Sequence, residues 1–389
     1  MNIPYGKHYL DYKDIDIVNK VLKSDILTQG NIVTTFENKV KKMVNCKYAL
    51  AVNSASSALQ IACMSFNIKK NDIVWTSPIT FAASANCALN LGAKIDFVDI
   101  NDLTYNIDIN KLEEKLILSN KKNSLPKILI TVHLAGQPTY QEKIWNLAKK
   151  YNFKIIEDAS HSMGAKRKNH PVGNCKWSDI TVFSFHPVKM ITTIEGGMAL
   201  TNNFTLFKKM DLYRNNGITK NKNYYKSKND YPWYYEMQSH GYNFRMNEVQ
   251  SALGLSQLNK INYFVKKRNQ IADFYNKSFK KYKNVVTPFI DKDNYSSYHL
   301  YILRLKFLTS FKKKSELMKL LIKNNIFLNI HYIPLHLHPY FKKVGFKKGY
   351  LPSAEKYYLE AISLPIYFNL KESDKNKVFK FFKSIIRNE

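Results

Sequence analysis

The sequence predicts an α/β protein, with a large, mainly parallel sheet domain over residues 1–255 and a smaller α+β domain over 256–389. Three observations carry this. Seven short apolar runs recur across residues 48–201, separated by stretches of helical periodicity; buried runs alternating with helices are the pattern of a parallel sheet covered on both faces. The texture changes near residue 202, and the chain beyond about 285 mixes short strand-like and helical segments. The length, 389 residues, suits two or three domains at roughly 150 residues each.

In chain order, strands are expected at 48–53, 73–77, 94–98, 128–133, 154–157, 180–185 and 198–201, with helices at 56–66, 82–91 and 140–150. Residues 220–230 are polar and lysine-rich and are followed by a Tyr/Trp cluster at 231–235, which reads as a long loop. One or two helices are expected over 247–281, a strand at 301–305, a helix at 314–324, an apolar run at 326–332 and an amphipathic final helix near 373–386. The N-terminal residues are expected to pack on the small domain.

Composition narrows the function classes. Hydrophobic residues make up 45% and aromatics 14%, too rich for a disordered chain. No apolar run approaches the roughly 18 residues of a membrane span, and the first residues have no apolar core behind a basic stretch, so neither a membrane nor a secretory signal is expected. Cys46, Cys63, Cys87 and Cys175 form no CxxC pair; no metal or disulfide framework is expected, and a reducing cytoplasm fits. The net charge of +30 would suit nucleic acid, but only six of the 60 basic residues are arginine and the lysines are scattered. Nucleic acid is therefore not the expected partner; an anionic small substrate suits the same field.

Four clusters fall at predicted strand ends. Asn53-Ser54-Ala55-Ser56-Ser57-Ala58 follows a strand and opens a helix; such a start can cap its own amides or hold an anion. Glu157-Asp158-Ala159-Ser160-His161 ends an apolar strand with two carboxylates. Alternation sends them to opposite faces, and the buried one needs a cationic or hydrogen-bonding partner. Ser184-Phe185-His186-Pro187-Val188-Lys189 puts a lysine in an apolar setting, where desolvation lowers its pKa and allows covalent chemistry with a carbonyl. Gly241-Tyr242-Asn243-Phe244-Arg245-Met246-Asn247-Glu248 is a compact helix start. Each has an ordinary structural reading alone. Together, an anion cup, an acid and a lysine are the parts that pyridoxal 5′-phosphate (PLP) requires.

These residues strongly resemble the DegT/DnrJ family of sugar aminotransferases. Further matches are Thr76-Ser77-Pro78-Ile79-Thr80-Phe81, Val132-His133-Leu134-Ala135-Gly136-Gln137-Pro138 and Thr192-Thr193-Ile194-Glu195-Gly196-Gly197. The resemblance runs from Leu27-Thr28-Gln29-Gly30 to Ile362-Ser363-Leu364-Pro365. It implies the PLP-dependent transferase fold-type I, with Lys189 carrying PLP and moving protons. Asp158 is then on the pyridine nitrogen, His161 facing the phenolic oxygen, Phe81 stacked on the ring, and Ser56, Ser57 and Ser184 on the phosphate. Asn243 is expected to reach the cofactor of a second subunit, which implies a homodimer with shared sites. His186 and His331 are expected at the substrate, with His186 counted among the catalytic residues, and Tyr5 and Gln29 are candidate sugar contacts. The subgroup most resembled aminates C4 of a UDP-linked 4-keto-6-deoxy-N-acetylhexosamine in pseudaminic acid biosynthesis, with L-glutamate as donor. A different keto sugar is the alternative within the same chemistry; a non-catalytic regulator or a nucleic-acid-binding protein is the alternative outside it, which an intact Lys189 and Asp158 disfavour.

Overall fold

Val, Ile, Leu and Ala fill both faces of the central strands, so each strand must be covered twice. The computed structural model, which describes residues 2–229 and 231–387, satisfies this with a seven-stranded sheet between helical layers. The strand order is Tyr48–Val52, Gly197–Thr201, Ile180–Ser184, Lys154–Asp158, Ile128–Val132, Ile73–Thr76, Lys94–Phe97. Gly197–Thr201 runs antiparallel to both neighbours; the other pairings are parallel. All seven expected strands are present, with ends within about a residue or two of the sequence reading.

On one face the sheet buries Leu50, Ile130, Ile156 and Val182 beneath the helix Ala55–Ser65. On the other, Phe183, Met198 and Leu200 pack with Phe36 and Val40 of the helix Asn31–Val44. Leu129 and Ile155 complete a third cluster with Leu112, Leu116 and Ile144. The helices over 247–281 are two, Glu248–Leu258 and Ile261–Phe279. The second spans two cores: Phe264 and Val265 belong to the sheet side, while Ile271, Tyr275 and Phe279 pack with Tyr301, Leu303 and Phe382. That last core lies around a three-stranded antiparallel sheet of Val285–Val286, Tyr301–Leu305 and Ala361–Leu364. It is covered by the final helix Glu372–Arg387, whose buried Val378, Phe382 and Ile386 lie on one stripe.

One segment departs from the sequence reading. The apolar run after residue 325 is a strand only over Ile326–Phe327, where it pairs in parallel with Ile3–Pro4; beyond Phe327 the side chains turn into a cleft instead of continuing a ladder. The lysine-rich loop is more ordered than its composition implies. The Glu236 carboxylate accepts the amides of Lys226 and Ser227 at 2.8 Å each, and Ile218–Thr219 pairs with Glu236–Met237; Asp230, the last residue of that expected loop, lies outside the described residues. Among the described residues no helix is long and apolar enough to cross a membrane.

The N-terminal helix Tyr12–Leu22 is anchored by one buried carboxylate. Asp14 accepts from Ser256 Oγ at 2.6 Å, Gln257 Nε2 at 2.7 Å and Lys260 Nζ at 2.7 Å. Removing it leaves three donors behind. Asp14→Ala is therefore expected to cost about 3 kcal/mol of stability, measured by urea denaturation, with Asp14→Asn recovering part of the loss.

Candidate active site

The carboxyl ends of the parallel strands converge on one cleft of about 740 Å³. Asp158 is the last residue of its strand and Ser184 of the next; Lys189 follows in the turn after Ser184. Helix Ala55–Ser65 points its N-terminus at the same place. Tyr5, Asn329, His331 and Tyr332 close the far wall. This is where an open α/β sheet is expected to bind its ligand.

Asp158 is 5% exposed, and no lysine or arginine among the described residues lies within ion-pair distance of it. Its Oδ2 accepts from Ser84 Oγ at 2.6 Å, and Ser84 Oγ lies 2.7 Å from Thr80 Oγ1. Its Oδ1 accepts the Ser160 amide at 3.2 Å. A carboxylate is acceptor-only, so Ser84 must donate to it. Glu157 faces away, accepting from Thr181 Oγ1 at 2.8 Å, as strand alternation requires. A buried carboxylate held this firmly without a cation is prepared to receive one.

Lys189 shares the cleft. Burial lowers its pKa from 10.5 to about 8, with Asp158 pulling the other way. The surrounding histidines are held neutral. His161 is pushed well below its ordinary value by burial and then by the charges of Lys189 and His331. Its Nδ1 accepts the Ala135 amide at 3.3 Å, so the proton sits on Nε2, 3.1 Å from the Tyr332 hydroxyl. His299 packs on it with ring centroids 4.3 Å apart and is depressed by the same burial. His331 is lowered to about 3, by burial and then by Lys189, and its Nδ1 lies 2.8 Å from Ser363 Oγ. His186 is lowered by burial, with Glu195 opposing.

The helix start forms the other end of the cleft. Ser54 caps it, accepting the Ser57 amide at 3.1 Å, while the amides of Ala55 and Ser56 precede the first intrahelical bonds and stay available. The sheet must come close for this. A Cβ on Gly197 would lie 2.5 Å from both Ala55 N and Ser54 C, so only glycine fits there.

Of the expected site residues, Tyr5, Ser56, Phe81, Asp158, His161, Ser184, His186, Lys189 and His331 all line this cleft. Phe81 presents a ring 62% exposed. Ser57, Gln29 and Asn243 do not line it. The Ser57 hydroxyl is spent on Asn53 Oδ1 at 2.6 Å, Gln29 is exposed with φ +58°, and Asn243 is exposed beside Asn215. Sequence reasoning missed Thr80, Ser84, Tyr332 and His299. The first two lie in the stretch after residue 76 and carried a hydroxyl pattern at i and i+4 that could have been read on a helix start; the last two had no local signal.

The residues fit PLP: an acid without a cation, a depressed lysine, an uncovered aromatic face and free amides at a helix start. The comparisons agree. The DegT/DnrJ/EryC1/StrS aminotransferase family model matches residues 8–383, and the chain belongs to that family; it is a PLP-dependent aminotransferase. The chain is similar to the UDP-4-amino-4,6-dideoxy-N-acetyl-β-L-altrosamine transaminase of Campylobacter jejuni, 39% identical over 374 residues, covering 95% of this chain and 94% of that relative. Its fold is similar to Helicobacter pylori PseC, an aminotransferase involved in the biosynthesis of pseudaminic acid, with TM-score 0.90, 32% identity and full coverage of both chains. It is also similar to the PLP form of the sugar aminotransferase Spr1654 from Streptococcus pneumoniae, with TM-score 0.89, 25% identity and coverage of 100% and 99%.

The tight approach at Gly197 makes a test of the phosphate end. Gly197→Ala must displace the helix start, and PLP affinity is expected to fall roughly tenfold or more, about 1.4 kcal/mol, read by titrating the apoprotein with PLP and following absorbance.

Proposed function

We propose that this enzyme transfers an amino group from L-glutamate to C4 of a UDP-linked 4-keto-6-deoxy-N-acetylhexosamine. The observation that carries the reading is Lys189, with its lowered pKa, in one cleft with the cation-free Asp158. Similarity to the C. jejuni transaminase over nearly the whole chain supports the acceptor. PLP, when bound, supplies the electron sink that lets the amino group leave the donor and join the acceptor.

The chain's own groups divide the work. Lys189 holds PLP covalently and, when its amine is free, moves the proton at the donor Cα. Asp158 keeps a proton on the pyridine nitrogen. His161, neutral with its Nε2 proton toward the Tyr332 hydroxyl, would stand at the ring's phenolic oxygen. Phe81 covers the ring. Ser56, Ser184 and the amides of the helix start hold the phosphate, and Ser57 acts through the cap that shapes that start. His186, His331 and Tyr5 meet the substrate; Gln29, outside this cleft, would meet it only from a second copy. Asn243 lies outside its own cleft and is exposed, which supports its reaching the site of a second copy in a homodimer. The net charge of +30 favours a diphosphate substrate. Four unpaired cysteines suit a cytoplasmic setting.

Two outcomes check this. Lys189→Ala is expected to lose the visible band of attached PLP and all turnover; full activity in that variant contradicts the assignment. For the wild-type apoprotein, the amine must be neutral to react, so the rate at which added PLP attaches should rise with pH through about 8 and level off above it. Stopped-flow absorbance measures this. A panel of keto sugars, with and without the nucleotide, tests the acceptor: turnover confined to the UDP-linked 4-keto sugar supports the reading, and equal use of nucleotide-free sugar opposes it.

A further inference from the structure

Lys189 also lines a second, much smaller cavity of about 20 Å³, which shares no other lining residue with the main cleft. Its wall includes Lys7, His8, Lys189, Gln257 and Arg268 and has no carboxylate. Arg268 is 4% exposed. One of its nitrogens, Nη1, donates to the carbonyls of Ile366 at 2.8 Å, His299 at 3.0 Å and Tyr298 at 3.3 Å. These bonds tie the helix Ile261–Phe279 to the segments around it, and they leave Nε and Nη2, three N–H donors, without an acceptor among the described residues. The guanidinium has no acidic partner among the described residues, and burial lowers its pKa to about 10. Gln257, on the cavity wall, gives its side-chain amide to the buried Asp14, which is also bound to Ser256 and Lys260.

A buried guanidinium almost always has an anion beside it. Here three cationic side chains meet around one small cavity with no acid on its wall. We propose that this cavity binds a single small monovalent anion of the halide class, held by Arg268 Nε and Nη2. The cavity is small, about 20 Å³, above the space one water needs, and a single small ion suits it better than a phosphate or the amino donor. Lys7 and His8 are exposed and form the way in. The bound anion neutralises the positive charge gathered beside Lys189 and lets the Arg268 clamp keep its charge while buried. The site stands on Arg268 and its cavity and does not depend on the function proposed above; only its effect on Lys189 does.

Crystals of the full chain soaked in sodium bromide, with an anomalous difference map at the bromine edge, test this directly. A peak within hydrogen-bonding distance of Arg268 Nε or Nη2 is expected. Bromide ordered elsewhere on the molecule, with only water or nothing in this cavity, overturns the proposal. In solution, thermal unfolding in sodium chloride is expected to lie about 2 °C above that in sodium gluconate at equal ionic strength, with the difference lost in Arg268→Gln. Equal melting temperatures of the wild-type protein in the two salts also overturn it. Neither readout requires PLP, so a failed aminotransferase assignment and a failed anion site are told apart.

Discussion

The site depends on one buried carboxylate that has no cation of its own. Asp158 ends a central strand, where both neighbouring strands fix its backbone. Ser84 and the Ser160 amide fix its oxygens. Leaving an acid buried without a counter-charge costs stability. In the proposed reading a protonated ring nitrogen offsets that cost. The hydroxyls of Ser84 and Thr80 set the direction of the carboxylate without supplying a charge that would compete with the cofactor.

The rest of the cleft follows the same electrostatic logic. Burial holds His161, His299 and His331 neutral, and Lys189 adds to each depression. Lys189 itself is brought down to about 8, within reach of the neutral form near physiological pH. Each suppressed positive charge leaves Asp158 without a competing histidine cation in the cleft. At the opposite end, charge is handled by the backbone, because Gly197 lets the sheet approach the start of helix Ala55–Ser65.

Much of this was legible in the sequence, for definite physical reasons. A central strand of a parallel sheet is buried on both faces, so it writes an uninterrupted apolar run; Ile155-Ile156 and Val182-Phe183 are such runs. Strand ends are where that run breaks, and Asp158, Ser184 and Lys189 stand at the breaks. What was not legible depends on contacts far apart in the chain. Ser84 meets Asp158 across 74 residues, and Tyr332 meets His161 across 171. The short strand at Ile326–Phe327 exists because Ile3–Pro4 lies beside it, which no local pattern encodes. Composition marked the lysine-rich segment as a loop, which it is, but did not show that the Glu236 carboxylate gathers it.

The central claim is that Asp158 keeps the ring nitrogen of PLP protonated. Nitrogen-15 NMR of the protein loaded with ring-labelled PLP tests it most directly. The account predicts a pyridinium signal in the wild-type protein that moves to the neutral pyridine position in Asp158→Ala while PLP stays attached to Lys189. A neutral ring nitrogen in the wild-type protein, or a pyridinium unchanged in the variant, would contradict it.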